Sequence, residues 1–104
     1  MGRKKYTEIF KLRKKLNDID LEHTFVDRSD ERSESYQIVI LDDDGNKIIS
    51  VIQNEWSYGN REDLLEIMGL LTPEEEKHDE VIGWLTSDNV YERIMKYYGS
   101  REKF

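Results

Sequence analysis

Two runs rich in β-branched residues, Tyr36–Leu41 and Lys47–Ile52, flank the pentapeptide "DDDGN". No other stretch limits the fold so strongly. The Asp44-Gly45 pair supplies the positive φ angles of a tight reversal, so the two runs are expected to pair as an antiparallel hairpin. Ile38 to Leu41 are apolar without a break, as are Ile48 with Ile49 and Val51 with Ile52. Such runs belong to strands covered on both faces or placed centrally in a sheet. A calcium-loop reading of "DDDGN" fails. With its glycine at the sixth loop position, Ile40 would be the first ligand and Val51 would replace the glutamate at the twelfth.

Around the hairpin the pattern is helical at both ends. Tyr6, Ile9, Phe10 and Leu16 recur at three- and four-residue spacings, with Leu12 on a flank and basic residues between, which predicts an amphipathic helix over about residues 4–17. "LEHTFVDR" alternates loosely and predicts a strand, and the polar 27–35 predicts a mobile loop. After the hairpin, Asn60 reads as an N-cap with Asp63 at the third position of a helix over about 61–71, burying Leu64, Leu65, Ile67, Met68 and Leu71. Thr72, Pro73 and Glu75 form a capping box for a short helix or turn. "VIGWL", Val81–Leu85, is too short to classify. Thr86 caps a last helix over about 87–98 with Gly99 as its stop. The expected architecture is α+β: an N-terminal helix, a three-stranded antiparallel sheet with a central hairpin, and two or three C-terminal helices packed on the sheet.

A chain of 104 residues makes one domain, with fraying expected at 1–5 and 100–104. It has no cysteine, hence no disulfide or thiolate chemistry, in keeping with a cytoplasmic setting. No apolar run is long enough to predict a membrane helix. The net charge of −7 is unevenly spread. Residues 1–15 hold seven basic side chains against Glu8, or +6, which leaves −13 for the rest. So acidic a body repels nucleic-acid phosphates and favours a partner with a basic surface; direct DNA or RNA binding is not expected.

Catalytic signatures are not found. His23 and His78 are isolated in sequence, and neither a phosphate-cradling glycine loop nor a nucleophile elbow is present. We therefore predict no catalytic residues, no metal and no cofactor. The expected helix and strand order is that of a double-stranded-RNA-binding domain, but such domains grip phosphate with basic residues where this chain has "REDLLE". What stands out is an aromatic surplus in the second half, including Trp56, Tyr58 and Trp84, set among acids. Trp and Tyr serve both cores and binding hot spots. If the strand ends near Trp56 and Tyr58, alternation puts both rings on one face.

The segments "SYG", "LLEIMGLLT" and "GWLT" resemble those of small accessory proteins encoded by phages and prophages of Gram-positive bacteria. The resemblance implies a context, the modulation or inhibition of host proteins, and carries no catalytic residues. The expected function is accordingly non-enzymatic counter-defence: binding and inhibition of a host nucleic-acid-acting defence protein, such as a CRISPR effector. The expected contacts are Trp56, Tyr58, Glu62, Asp63, Glu74, Glu75, Glu76 and Trp84. The competing expectation is a sponge, a homodimer or larger ring, that captures a nucleotide signal between aromatic faces with first-helix cations on its phosphates. A phage structural or regulatory role is the third.

Overall fold

The structure, a computed structural model, describes residues 6–101. Helix α1 (Glu8–Asp18) leads into strands β1 (Thr24–Asp27), β2 (Ser35–Leu41) and β3 (Lys47–Asn54); a 3-10 turn (Asn60–Glu62) precedes β4 (Leu65–Met68), and α2 (Pro73–His78), β5 (Val81–Leu85) and α3 (Ser87–Arg101) complete the chain. The strands form one antiparallel meander in the order β1-β2-β3-β4-β5. The expected fraying at 1–5 and 100–104 lies outside the described residues except at Ser100 and Arg101, which continue helix α3, and the first residues of the helix expected from residue 4 lie outside them as well.

Five strands, not three, correct the expected architecture. Segment 61–71 is not a helix, because Asp63 takes a left-handed conformation (φ 59°) that ends the helical turn after Glu62. Asn60 opens that turn instead of capping a helix; its Nδ2 donates to the Ser57 carbonyl at 2.6 Å. Beyond Asp63, buried Leu65 and Ile67 alternate with Glu66 and exposed Met68, the two-residue period of a strand. Ile67 pairs with Val51 on one side and Ile82 on the other, so β4 joins the hairpin to "VIGWL", which is β5. The two apolar pairs of β3, Ile48 with Ile49 and Val51 with Ile52, reflect this central position. Two helices follow, and Gly99 lies inside α3 instead of stopping it.

The hairpin pairs as expected, with Ile38 opposite Val51 and Ile40 opposite Ile49. Its turn needs only one left-handed residue, Gly45 (φ 85°), and the register shifts at Ile40/Leu41. Asp42 Oδ1 accepts the amides of Asp44 and Asn46, both at 2.9 Å, and so closes the loop. At the other end of β2 the 27–35 loop is bridged by hydrogen bonds, among them Arg28 N to the Ser35 carbonyl at 2.7 Å.

Both capping predictions for the later helices hold. Thr72 and Glu75 form the reciprocal box with Pro73 at the helix start, and Thr86 exchanges 3.1 Å hydrogen bonds with Asn89.

Among the described residues, helices cover one face only. Ile9, Leu12 and Leu16 of α1 and Val90 and Ile94 of α3 pack with Tyr36, Ile38, Ile40, Ile49, Val51, Leu65 and Ile67 in one buried cluster. Leu12, expected on a flank, is wholly buried. Gln53 follows Ile49 and Val51 onto this face and is fully buried. Its Oε1 accepts the Ile9 amide at 3.1 Å and its Nε2 donates to Asp63 at 2.8 Å, so it meets its hydrogen-bond demand by tying β3 to α1. On the opposite face Val26, Val39, Leu41, Ile52, Met68 and Val81 lie outside the cluster and are half-buried or exposed. Among the described residues no helix is long and apolar enough to cross a membrane.

Candidate functional site

The chain between β3 and β4 is wound tightly around a buried serine. Ser57 Oγ accepts the Asn54 amide at 3.0 Å, while Asn54 Oδ1 accepts the Trp56 amide at 2.8 Å. These turns leave the Trp56 ring 82% exposed. One residue on, the Tyr58 amide donates to Glu66 Oε1 at 2.8 Å, which anchors the loop to β4.

Tyr58 then lies against β5. Its ring stacks on Trp84, with centroids 5.5 Å apart and planes 7° from parallel, yet the two side chains remain 47% and 58% exposed. Offset stacking of this kind contributes about 0.5–1.5 kcal/mol beyond area burial. The approach depends on two glycines. A Cβ on Gly83 would stand 2.1 Å from Tyr58 Cβ; one on Gly59 would stand 2.9 Å from the Trp84 backbone, and Gly59 also has φ 90°. Trp84 itself takes φ 57°. For a bulky side chain that conformation is costly, and such strain concentrates where a ligand or partner is met.

Trp56, Tyr58, Glu62 and Trp84 line one shallow cavity of about 280 Å³, together with Arg61, so the structure brings these four expected contacts together. The other four have different places. Asp63 points inward and serves as a remote cap for α1, whose own N-cap, Thr7, makes no side-chain cap bond. The Asp63 carboxylate accepts the Thr7 amide at 2.8 Å, the Glu8 amide at 3.3 Å and Gln53 Nε2, and it also accepts the Thr7 hydroxyl. Burial pushes its pKa up, but these hydrogen bonds outweigh burial and hold the carboxyl below its ordinary range.

Glu75 is likewise committed. It makes a bidentate pair with Arg93 of α3, at 2.8 and 2.7 Å, and accepts the Thr72 amide at 2.8 Å. The Arg93 hydrogen bonds, aided by the capping bond and the guanidinium charge, take its pKa down to about 2. Glu74 and Glu76 are exposed on α2, Glu74 paired loosely with Lys77 at 3.4 Å. None of these three acids lines the aromatic cavity.

The first-helix cations are engaged with neighbours too. Lys11 pairs with Glu8 at 3.0 Å, Lys14 with Asp18 at 3.0 Å and Lys15 with Asp88 at 2.8 Å, while the Arg13 guanidinium lies over the Phe25 ring at 4.1 Å. Their groove, between α1 and the start of α3, shares no lining residue with the aromatic cavity. Among the described residues of one copy, then, the aromatic faces and the first-helix cations of a nucleotide sponge do not converge. The histidines are separate as well: His23 Nδ1 lies 2.7 Å from the Leu21 carbonyl, and His78 ends α2.

A larger groove of about 620 Å³ runs between α3 and the β4–α2 connection, lined by Leu70, Leu71, Leu85, Arg93 and Tyr97 among others. Its guanidinium is already held by Glu75 and the Leu70 carbonyl. Sequence reasoning missed Glu66, Gly83 and Gln53. Only Gln53 left a signal, a polar side chain in phase with Ile49 and Val51; the other two matter through contacts that arise once β4 and β5 pair. Comparison with known protein families, with curated proteins and with solved structures returned no match to this chain.

Proposed function

We propose that this protein is a non-enzymatic binding protein that grips a basic surface of a partner protein with the Trp56–Tyr58–Trp84 platform. The partner fitting this chemistry is a nucleic-acid-acting enzyme, inhibited by occupation of its phosphate-binding groove; in a phage accessory protein that activity is counter-defence. The observation carrying the reading is the stacked Tyr58–Trp84 pair, held in the open by a left-handed tryptophan. Rigid exposed aromatics are what binding hot spots use, and their π-faces attract Arg and Lys side chains. The chain's charge of −7 adds long-range attraction to a basic groove.

The test is an affinity capture at low salt, comparing the wild-type chain with a Trp56→Ala/Trp84→Gly double variant. A nucleic-acid-acting enzyme held by the first and not by the second, and inhibited in its nuclease assay, is the expected result. Equal capture by both chains, or no such enzyme with either, would overturn the reading. The sponge reading predicts a thermal shift with cyclic or ADP-ribose-type nucleotides; absence of a shift at saturation removes it.

A further inference from the structure

The five-stranded sheet is covered by α1 and α3 on one face, and on the other the structure provides no cover among the described residues. Across that open face run Val26 on the edge strand β1, Val39 on β2, Ile52 in the centre on β3, and Met68 and Val81 toward the far edge, with Met68 52% exposed. The register makes them neighbours: Val26 is opposite Gln37, Gln37 opposite Ile52, Ile52 opposite Glu66, and Met68 opposite Val81. Strands spaced about 4.8 Å apart and rising about 3.3 Å per residue give such a sheet a footprint of roughly 450 Å² before side-chain relief is added. Enlarged by side-chain relief, that footprint is of the order of the smaller specific interfaces, which bury up to about 600 Å² on each partner.

We infer that this open face is a self-association surface, on which a second copy of the chain packs sheet to sheet as a two-fold dimer. Charge selects a second copy as the occupant. The chain carries −7, yet the described charged side chains at this face include two cations, Arg28, whose guanidinium donates to Gln37, and Lys47, which with Glu66 lines a shallow depression around Ser50 and Ile52. Here two strongly acidic molecules meet without stacking carboxylate on carboxylate, and a two-fold axis allows Lys47 of each copy to approach Glu66 of the other. The polar groups at the centre already bond to their neighbours, Gln37 Nε2 donating to Ser50 Oγ at 2.8 Å and Gln37 Oε1 accepting from Arg28. Sheets packed in this way lie about 10 Å apart, with inner side chains interdigitated. The aromatic loop borders this face at its β4–β5 end, where the Tyr58 amide bonds Glu66 and Tyr58 Cβ lies close to Gly83.

Sedimentation equilibrium over a wide concentration range tests the assignment. The wild-type chain is expected to sediment as a dimer, with dissociation constant falling as salt rises, because salt screens the mutual repulsion of two acidic copies. Ile52→Glu is expected to weaken the dimer at least a hundredfold, and Met68→Lys, at an exposed position that the fold tolerates, at least tenfold. Circular dichroism melts establish that each variant is folded. Ile19→Glu, on an exposed residue at the end of α1, is expected to leave the dimer unchanged. A wild-type chain that stays monomeric at millimolar concentration, or a dimer indifferent to both face variants, overturns the assignment. Neither result touches the platform, whose partner binding is read separately with Trp84→Gly.

Discussion

Asp63 and Trp84 both adopt left-handed backbone, and for opposite reasons. At Asp63 the conformation directs a carboxylate inward to two amides, a hydroxyl and a carboxamide. Asp63→Asn keeps a residue that tolerates this conformation and loses the charge, at an expected cost of about 1–2 kcal/mol. Asp63→Ala adds the steric penalty and leaves the Thr7 and Glu8 amides without their cap, for about 3 kcal/mol or more; urea melts compare the two. Because the folded pKa of Asp63 is depressed, its contribution is complete above the ordinary aspartate range and fades as pH falls through the folded value. At Trp84 the same backbone serves an exposed ring. Trp84→Gly relieves the strain while losing the Tyr58 stack, so stability should move by less than about 1 kcal/mol, against the 3–5 kcal/mol of a truncated core aromatic. Partner binding should nevertheless collapse, and a large drop in melting temperature would mark Trp84 as a packing residue. The acidity of Asp63 was legible in the sequence, but its inward direction was not, because that depends on a φ angle that no neighbouring residue announces.

Elements that declare themselves by caps or turn chemistry were the legible ones. "DDDGN", "TPEEE" and Thr86 each carry local hydrogen-bonding instructions, and each sits where the sequence placed it. Residues 61–71 carry a conflicting pattern. Leu64, Leu65, Ile67, Met68 and Leu71 satisfy a helical period, and tertiary pairing of Ile67 with both Val51 and Ile82 decides for a strand. "VIGWL" has too few residues for any period to be read, yet it is the strand that brings Trp84 under Tyr58. Beside them, α2 is joined to α3 by Glu75 and Arg93. Glu75 has a folded pKa of about 2, so the pair contributes fully above the ordinary glutamate value, and its contribution is lost as pH falls from there toward 2. Glu75→Gln should cost about 1–2 kcal/mol near neutral pH, allowing for solvent screening, and much less at pH about 2.5. Thermal melts at the two pH values check it, and an equal loss at both would mean that the charge is not what matters.

At the scale of the molecule, a helix-covered sheet was foreseen and its width was not. Strand count is a property of long-range pairing, and β4 and β5 are short pieces with no hairpin signature between them. The acidic character read from composition is structural fact at the surface, but its distribution matters more than its total. Acids occupy the turns and α2, while the open sheet face holds Arg28 and Lys47 against Glu66. Salt therefore separates the two proposed surfaces: rising ionic strength should weaken capture of a basic partner and strengthen self-association. Titrating salt in parallel binding and sedimentation experiments measures both, and slopes of the same sign would mean that one surface has been misassigned. The tether at Asp63 carries a consequence in time. Each strand pairs with its sequence neighbour, so the meander assembles from short loops, whereas the bonds from Asp63 to Thr7 and Glu8 and from Gln53 to Ile9 close separations of 56, 55 and 44 residues. Docking of α1 should then be a late event in folding, and with it the setting of the aromatic loop. A chain caught before that step would have its strands paired and Asp63 untethered, so the proposed partner binding should appear only once α1 has docked.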